Sequence, residues 1–368
     1  MKVLFCTNAF EKVTNGPVKF AHLLLNEANA CGFEVEILTE DVSVATPKVH
    51  KLYFRIPKAF RLFSQFVRMW GYHKQAMKLR KEYPFDILVY NNAFIGLISC
   101  IFFKPTVGMI NDYTNASHSF ISVLQGKAKL NKRLLFHYIE YLTCKLSKRI
   151  IVNSLYLKNA LQKHYHCDKS LFQILYKGIE NDLVSLNRKE ITKQKETGSI
   201  LFAKTDFVLG GLLTLIEALK NFAHDIKLYI VGPAEKDHTM LKELLVEANI
   251  QYEIISYLPP HELYLKMRNA EIFCVPSHLE AFGVANLEAM AMGCKIVSTN
   301  VGGIPEALGE ERFAWLVEPG NPGLLREALT KARQTSIEDD MDAVSEHLHQ
   351  FSSSFVVSRF KAILQACL

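Results

Sequence analysis

Among its 368 residues the chain has no C-x-x-C pair, although it carries eight cysteines spread from Cys6 to Cys367. Isolated thiols with mostly apolar neighbours are neither a disulfide framework nor a metal or redox motif, so they read as reduced core residues. No apolar run reaches the roughly 18 residues that a membrane-spanning helix needs. The short N-terminal run "VLFC" is soon interrupted by Asn8, Glu11 and Lys12, which suits a first buried strand better than a signal peptide and gives a cytoplasmic expectation. Low-complexity tracts and internal repeats are missing too. Acidic residues are absent over one long stretch: Lys51 to Lys81 holds nine Lys/Arg and no Asp or Glu, within a net charge of +6. There Phe60, Phe63, Phe66, Val67 and Trp70 interleave with Arg61 and Arg68. Three readings stay open for residues 55–81: a solvated helix packed by its aromatic side, a peripheral surface for anionic lipid at the inner face of a membrane, or, last, a nucleic-acid contact, which is not expected.

What is present is globular, with 49% hydrophobic and 22% charged residues, and the length favours two domains because single cores rarely grow past about 250 residues. Short β-branched runs alternate with helical patterns: "KVLFC", "EVEILT", "DILVY", "TVGMI", "RIIVNS", and again "ILFAKT", "KLYIVG", "YEIIS", "EIFCVPS", "KIVSTN". Such alternation predicts parallel sheets covered on both faces. The expected division is 1–182 as an N-terminal Rossmann-like domain, 183–198 as a linker, 199–350 as a C-terminal Rossmann-like domain, and 351–368 as a terminal helix that crosses back to the first domain. In open parallel sheets ligands sit beyond the carboxyl ends of the strands.

The stretch "EIFCVPSHLEAFGVANLEAMAMG" carries the sharpest chemical signal. A buried strand ends at Pro276, a loop carries Glu280, Gly283 allows close backbone approach, and a helix begins near Val284 and stops at Gly293. The first turn of that helix offers free N–H groups to an anion, a phosphate above all. Carboxylates beside a phosphate suit sugar hydroxyls, because one carboxylate accepts two hydroxyl hydrogens; Glu280 and Glu288 could each hold a sugar. Spacing alone also permits acids favoured by the helix dipole, with Glu288 simply exposed.

Glu280-Ala281-Phe282-Gly283, the preceding Pro276-Ser277, Glu288-Ala289-Met290 and Gly302-Gly303-Ile304-Pro305-Glu306 resemble the signature of the family 4 retaining glycosyltransferases of GT-B fold. The likeness thins but continues through "YIVGP", "YLPPHELYLKM", "WLVEPGNPGLLREAL", "ILYKGIE" and "TNGPVKFAHLLLNEANACGFEVEILT". It implies two doubly wound domains facing a central cleft, and transfer of a sugar from a nucleotide donor, expected to be a UDP-sugar, to a glycan, glycolipid or other acceptor with retained anomeric configuration. Glu280 would contact the donor sugar, Ala281, Phe282 and Gly283 the sugar and diphosphate through backbone amides, and Glu288 the ribose. Gly232 of "YIVGP" and Gly16 of "NGP" would line the donor, and Lys204 would be the diphosphate cation. No metal or other cofactor is implied, and the acidic pair Asp339-Asp340 reads as solvated.

The chain departs from the family in three places. Where an Arg is followed five residues later by a Lys, this chain has Lys204 and then Leu209 or Gly210, so one positive charge is missing; Lys177 of "YKGIE", at the cleft rim, is the candidate replacement. Where a His precedes the Asp of an N-domain loop, this chain has Asn111-Asp112, and Asn111 can donate a hydrogen bond but cannot titrate. His118 is a second, weaker candidate there. The glycine loop has Gly16 alone where relatives show two. These departures leave an alternative from another class, a catalytically silent homologue that binds nucleotide sugar or glycan or serves as a partner subunit, and behind it a sugar-nucleotide epimerase of the same fold.

Overall fold

The structure, a computed structural model, describes residues 1–368 except 13–15, 54–63, 114, 116–131, 187, 193, 223–224, 310–312 and 338–339. It divides into two units, Met1–Gly178 with Ser353–Leu368, and Ile179–Ser352.

The first unit is built on a seven-stranded parallel sheet in the order β3-β2-β1-β4-β5-β6-β7. These strands are β1 (Lys2–Thr7), β2 (Glu34–Thr39), β3 (Val49–Lys51), β4 (Ile87–Tyr90), β5 (Thr106–Ile110), β6 (Arg149–Val152) and β7 (Phe172–Ile174). The central strands are buried end to end, which explains their unbroken apolar sequences. On one face Phe5 and Phe20 pack edge-to-face with Phe360. Phe360 belongs to the terminal helix Ser353–Gln365, whose Val356, Val357 and Leu364 join the same core.

The second unit holds a six-stranded parallel sheet, β10-β9-β8-β11-β12-β13: β8 (Glu196–Ala203), β9 (Lys227–Val231), β10 (Gln251–Ile255), β11 (Ala270–Val275), β12 (Lys295–Thr299) and β13 (Ala314–Val317). Residues 183–198, read as a linker, carry the helix Arg188–Thr192 and the start of β8 inside this unit. Arg188 is buried there, donating to the carbonyl oxygens of Leu183, Val184 and Leu186 and to Ser345 Oγ. A lysine-rich stretch looks like a solvated linker, but one arginine with this many acceptors can be buried in order.

Lys177, expected at a rim, is instead 3% exposed. Its Nζ lies 4.9 Å from the centroid of the Phe20 ring and has no hydrogen-bond partner among the described residues. Burial pushes its ammonium down to about 7. An unfolded lysine keeps its proton up to about pH 10.4. From pH 7 to that value the unfolded chain binds a proton that the folded chain lacks, so this residue makes stability rise with pH across the window. Below pH 7 the folded state carries the full cost of a buried ammonium, of which the aromatic face offsets only part. Lys177→Met is expected to raise the thermal midpoint at pH 6.5 by roughly 5 °C or more and to flatten the rise between pH 7 and 10. An unchanged midpoint and slope would show that the ammonium is solvated.

In the described part of 55–81, the helix Ser64–Leu79 presents Phe66, Trp70, Lys74 and Lys78 along one exposed i, i+4 stripe. Arg68 is not unopposed: its guanidinium pairs with Glu40 at 2.7 Å, and Tyr72 donates to the same carboxylate. The acid that balances it lies on another element, 28 residues away. Arg55, Phe60, Arg61 and Phe63 lie outside the described residues.

Candidate functional site

In the second unit β8 and β11 are sheet neighbours, so the segments leaving the two strands emerge side by side at the carboxyl ends. Lys204 directly follows β8, and the loop 276–283 follows β11. Lys204 Nζ reaches Glu280 Oε2 at 2.9 Å and Ser277 Oγ at 3.1 Å. Glu280 Oε1 accepts from the backbone N–H of Ala281 at 3.0 Å and, more weakly, of Phe282 at 3.5 Å. One carboxylate thus sits on a cation and two backbone donors. That donor set fits any compact oxyanion, and the ion pair remains about a quarter exposed, open to exchange for an incoming anion.

Two glycines hold this geometry. Gly232 has φ +122°, and a Cβ there would lie 2.6 Å from the carbonyl of Lys204, so only glycine lets the end of β9 rest against the base of the lysine. Gly302 has φ +59°, and its Cβ would fall 1.6 Å from the carbonyl oxygen of Glu280. Gly283 is the N-cap of the helix Val284–Ala291 and supplies no side-chain cap; the Asn286 N–H already donates to the Gly283 carbonyl, which leaves those of Val284 and Ala285 for a ligand. Phe282 turns its ring into the core against Phe351, 5.9 Å between centroids, and so contributes backbone only.

Glu288 lies one turn into this helix. It is 3% exposed, and Tyr264 donates its hydroxyl to Glu288 Oε1 at 3.2 Å. The carboxylate is therefore held in a fixed orientation, unlike a solvated helix-face acid. Sequence reasoning assigned no role to Tyr264 or Ser277, although "YLPPHELYLKM" and Pro276-Ser277 contain them. Asp340-Met341-Asp342, also missed, has Asp-x-Asp spacing; it opens the helix Met341–His349 with Met341 buried. Among the described residues no cluster of three or more His, Cys, Asp or Glu is placed to hold a metal ion.

In the first unit Gly16 starts the helix Gly16–Glu27, and Asn111 directly follows β5. Asn91, directly after β4, links them: its Nδ2 donates to the Pro17 carbonyl at 2.9 Å, and its own carbonyl accepts from Asn111 Nδ2. Beyond Asn111, buried Glu140 accepts from Tyr165 Oη at 2.6 Å and Asn115 Nδ2 at 3.0 Å, and burial pushes its carboxyl up to about 7. His118 lies outside the described residues. Lys204, Glu280, Ala281, Phe282, Gly283 and Gly232 are thus gathered in one place, Gly16 and Asn111 in another, and Lys177 joins neither set of hydrogen bonds.

Comparison with known proteins bears on the same two units. A family model described as Glycosyltransferase Family 4 matches residues 14–183, and one described as Glycosyl transferases group 1 matches residues 185–346. A D-inositol 3-phosphate glycosyltransferase of Corynebacterium glutamicum is 28% identical over 226 residues, covering 55% of this chain and 53% of the relative. The chain thus spans about half the length of the curated relatives it matches. Among solved structures, a glycosyltransferase of Rickettsia africae superposes with a TM-score of 0.74 at 17% identity, covering 99% of this chain and 98% of the other. HepE of Anabaena in complex with UDP and glucose gives 0.72 at 15% identity, covering 100% of both chains. With both family models matched in sequence order and two parallel α/β units like those of its structural neighbours, the chain belongs to the family 4 glycosyltransferases of GT-B fold.

Proposed function

We propose that the protein transfers a sugar from a nucleoside diphosphate sugar, a UDP-sugar, to a hydroxyl of a glycan, glycolipid or polyol, with retention at the anomeric carbon and without a metal. The observation that carries this reading is the Lys204–Glu280 contact at 2.9 Å, set beside the backbone donors of Ala281 and Phe282 at the mouth of a helix. In the resting site Glu280 occupies donors suited to a phosphate. The donor's diphosphate takes over Lys204 and the amides, and the released carboxylate accepts hydroxyl hydrogens from the sugar. As the glycosidic bond breaks, negative charge grows on the departing phosphate and Lys204 stabilises it. The departing phosphate takes the acceptor's proton, which keeps the acceptor on the face that the nucleotide leaves. Glu288, oriented by Tyr264, holds the ribose. HepE binds UDP and glucose, and that neighbour supports the choice of UDP.

The two glutamates separate in one experiment. Glu288→Ala should weaken UDP binding in calorimetry by about 10- to 100-fold, the loss of a charged acceptor. Glu280→Gln should lower turnover by about 10- to 100-fold with a UDP affinity no weaker than wild type, because its catalytic contact is with the sugar and a neutral amide competes less for Lys204. Equal effects of both on UDP affinity would sink the division of labour. The silent-binder reading keeps one observation: of the two positions where a second cation was expected, Leu209 is a half-exposed aliphatic side chain and Gly210 has none; it requires UDP binding with no turnover of any nucleotide sugar.

On the acceptor side, the stripe Phe66, Trp70, Lys74 and Lys78 supports peripheral contact with anionic lipid. Each Lys near such a surface contributes about 1 kcal/mol. Co-sedimentation with phosphatidylserine vesicles should therefore fall several-fold when Trp70, Lys74 and Lys78 are all changed to Ser, and should fall with added salt. Equal binding to neutral vesicles would refute it.

A further inference from the structure

Four adjacent strands of the first unit, β1, β4, β5 and β6, end on short uncharged polar residues: Thr7, Asn91, Asn111 and Asn153. Each asparagine side chain reaches the neighbouring strand. Asn153 Nδ2 donates to the Asn111 carbonyl at 2.9 Å, and Asn111 Nδ2 to the Asn91 carbonyl at 2.5 Å. Asn91 Nδ2 donates to Thr7 Oγ1 at 3.2 Å and to the Pro17 carbonyl at 2.9 Å, and Thr7 Oγ1 donates to the Ala9 carbonyl at 3.0 Å. Thr7, Asn91 and Asn153 are at least nine-tenths buried, and Asn111 is half-buried. Every amide in this row points its nitrogen toward the preceding strand.

The direction matters for Asn111. The sequence allowed it to act as a hydrogen-bond donor. In the fold its nitrogen faces Asn91, both the carbonyl and, at 3.5 Å, the side-chain oxygen. Among the described residues nothing donates to Asn111 Oδ1. An amide oxygen beyond the carboxyl end of a central strand stands where doubly wound sheets receive ligands, and it seeks a hydroxyl or N–H. The row itself carries no charge, and Asp112, next along the chain, is exposed. Such a ledge offers a phosphate no positive charge and suits an uncharged polyol.

We infer that the Thr7–Asn91–Asn111–Asn153 row is a positioning device that fixes Asn111 with Oδ1 presented to a hydroxyl of an uncharged sugar, the acceptor's sugar in the proposed transfer. Asn91 and Asn153 act through Asn111 and are positioning residues. The inference rests on the proposed glycosyl transfer for the ligand's role, and on the hydrogen-bonded row alone for its chemistry. It narrows the acceptor class: the group meeting this ledge is a neutral hydroxyl, and a phosphorylated group is met elsewhere or not at all.

Saturation-transfer NMR on the full chain tests it without turnover, using methyl α-glucoside, methyl α-galactoside, methyl α-mannoside and myo-inositol as neutral probes and glucose 6-phosphate as the charged one. At least one neutral probe should receive saturation from the wild type, and more strongly than glucose 6-phosphate. Asn111→Ala should weaken its binding about tenfold, and Asn153→Ala about fivefold, the scale of one hydrogen bond lost or misplaced. In the double variant, Asn153→Ala should add no further loss, because it acts through Asn111; a general structural defect would add its own. Should Asn111→Ala fail to fold, Asn153→Ala, which leaves the Asn111 side chain in place, should still show its roughly fivefold loss, and unchanged binding in that variant would overturn the positioning role. Contact by none of the neutral probes, preference for the phosphate, or additive losses would overturn the inference. UDP calorimetry on the same samples keeps the two readings apart: loss of UDP binding in the wild type counts against the transferase reading, whereas intact UDP binding with no sugar contact counts against the row.

Discussion

Lys204→Ala is expected to lower turnover of the nucleotide sugar by about 10²- to 10³-fold, the usual scale for removing one preorganised group from developing negative charge. UDP affinity should fall less, by about tenfold, because a ground-state diphosphate is already hydrated and the amides of Ala281 and Phe282 remain. The asymmetry follows from the missing second cation. Leu209, at one of the two positions where that cation was expected, is an exposed aliphatic side chain. Lys204→Arg should recover a large part of the rate, since guanidinium carries the same charge with a fork that suits phosphate, though it must fit between Gly210, where an added Cβ would lie 3.0 Å from the lysine Cδ, and Ser277. Steady-state kinetics with calorimetry on the same samples decide the matter. Wild-type kinetics in Lys204→Ala would remove the lysine from the mechanism.

Gly302→Ala should abolish activity and destabilise the second unit by about 3 kcal/mol or more, the range for a side chain forced into both a left-handed backbone and a neighbour's atoms. An added Cβ would overlap the Glu280 carbonyl oxygen at 1.6 Å and its carbon at 2.8 Å, and backbone cannot swing aside as a flexible side chain would. Gly303, the next residue, has φ −91° and is the natural control, because alanine adopts that angle freely. Thermal unfolding of the two variants should differ by several degrees, with Gly303→Ala near wild type. If Gly302→Ala melts like Gly303→Ala, the loop does not depend on that close approach.

Much of this was legible in the sequence, and the reasons for what was not are physical. Strands such as "DILVY" and "KIVSTN" announce themselves because both faces of a parallel sheet are buried, so the run is apolar throughout. The helix after Gly283 was readable from glycine and the apolar pattern. That Lys204 and Glu280 form a pair was not: they are 76 positions apart and meet only because β8 lies next to β11, an adjacency that alternation does not encode. Arg68 with Glu40 is the same kind of miss, an apparently unopposed cation whose partner sits on another element. Lys177 was misread because burial of a lysine without a partner is rare enough that composition argues for a rim. The asparagine row left a signal in "VYNN", "MIND" and "IVNS", where an apolar strand ends each time on asparagine. Nothing in one strand says that its neighbour's amide will reach it, so only the sheet order turns three separate residues into one ledge.

The central claim is transfer of a sugar at the Lys204–Glu280 site. Its most direct test is UDP or GDP release from UDP-glucose, UDP-galactose, UDP-N-acetylglucosamine and GDP-mannose, measured with a mixed pool of glycan and glycolipid acceptors for wild type, Glu280→Gln and Lys204→Ala. At least one UDP-sugar should be consumed by the wild type with formation of a glycosylated product, and consumed far more slowly by both variants. Tight UDP binding by the wild type with no nucleotide sugar consumed, or equal consumption by all three proteins, would contradict it.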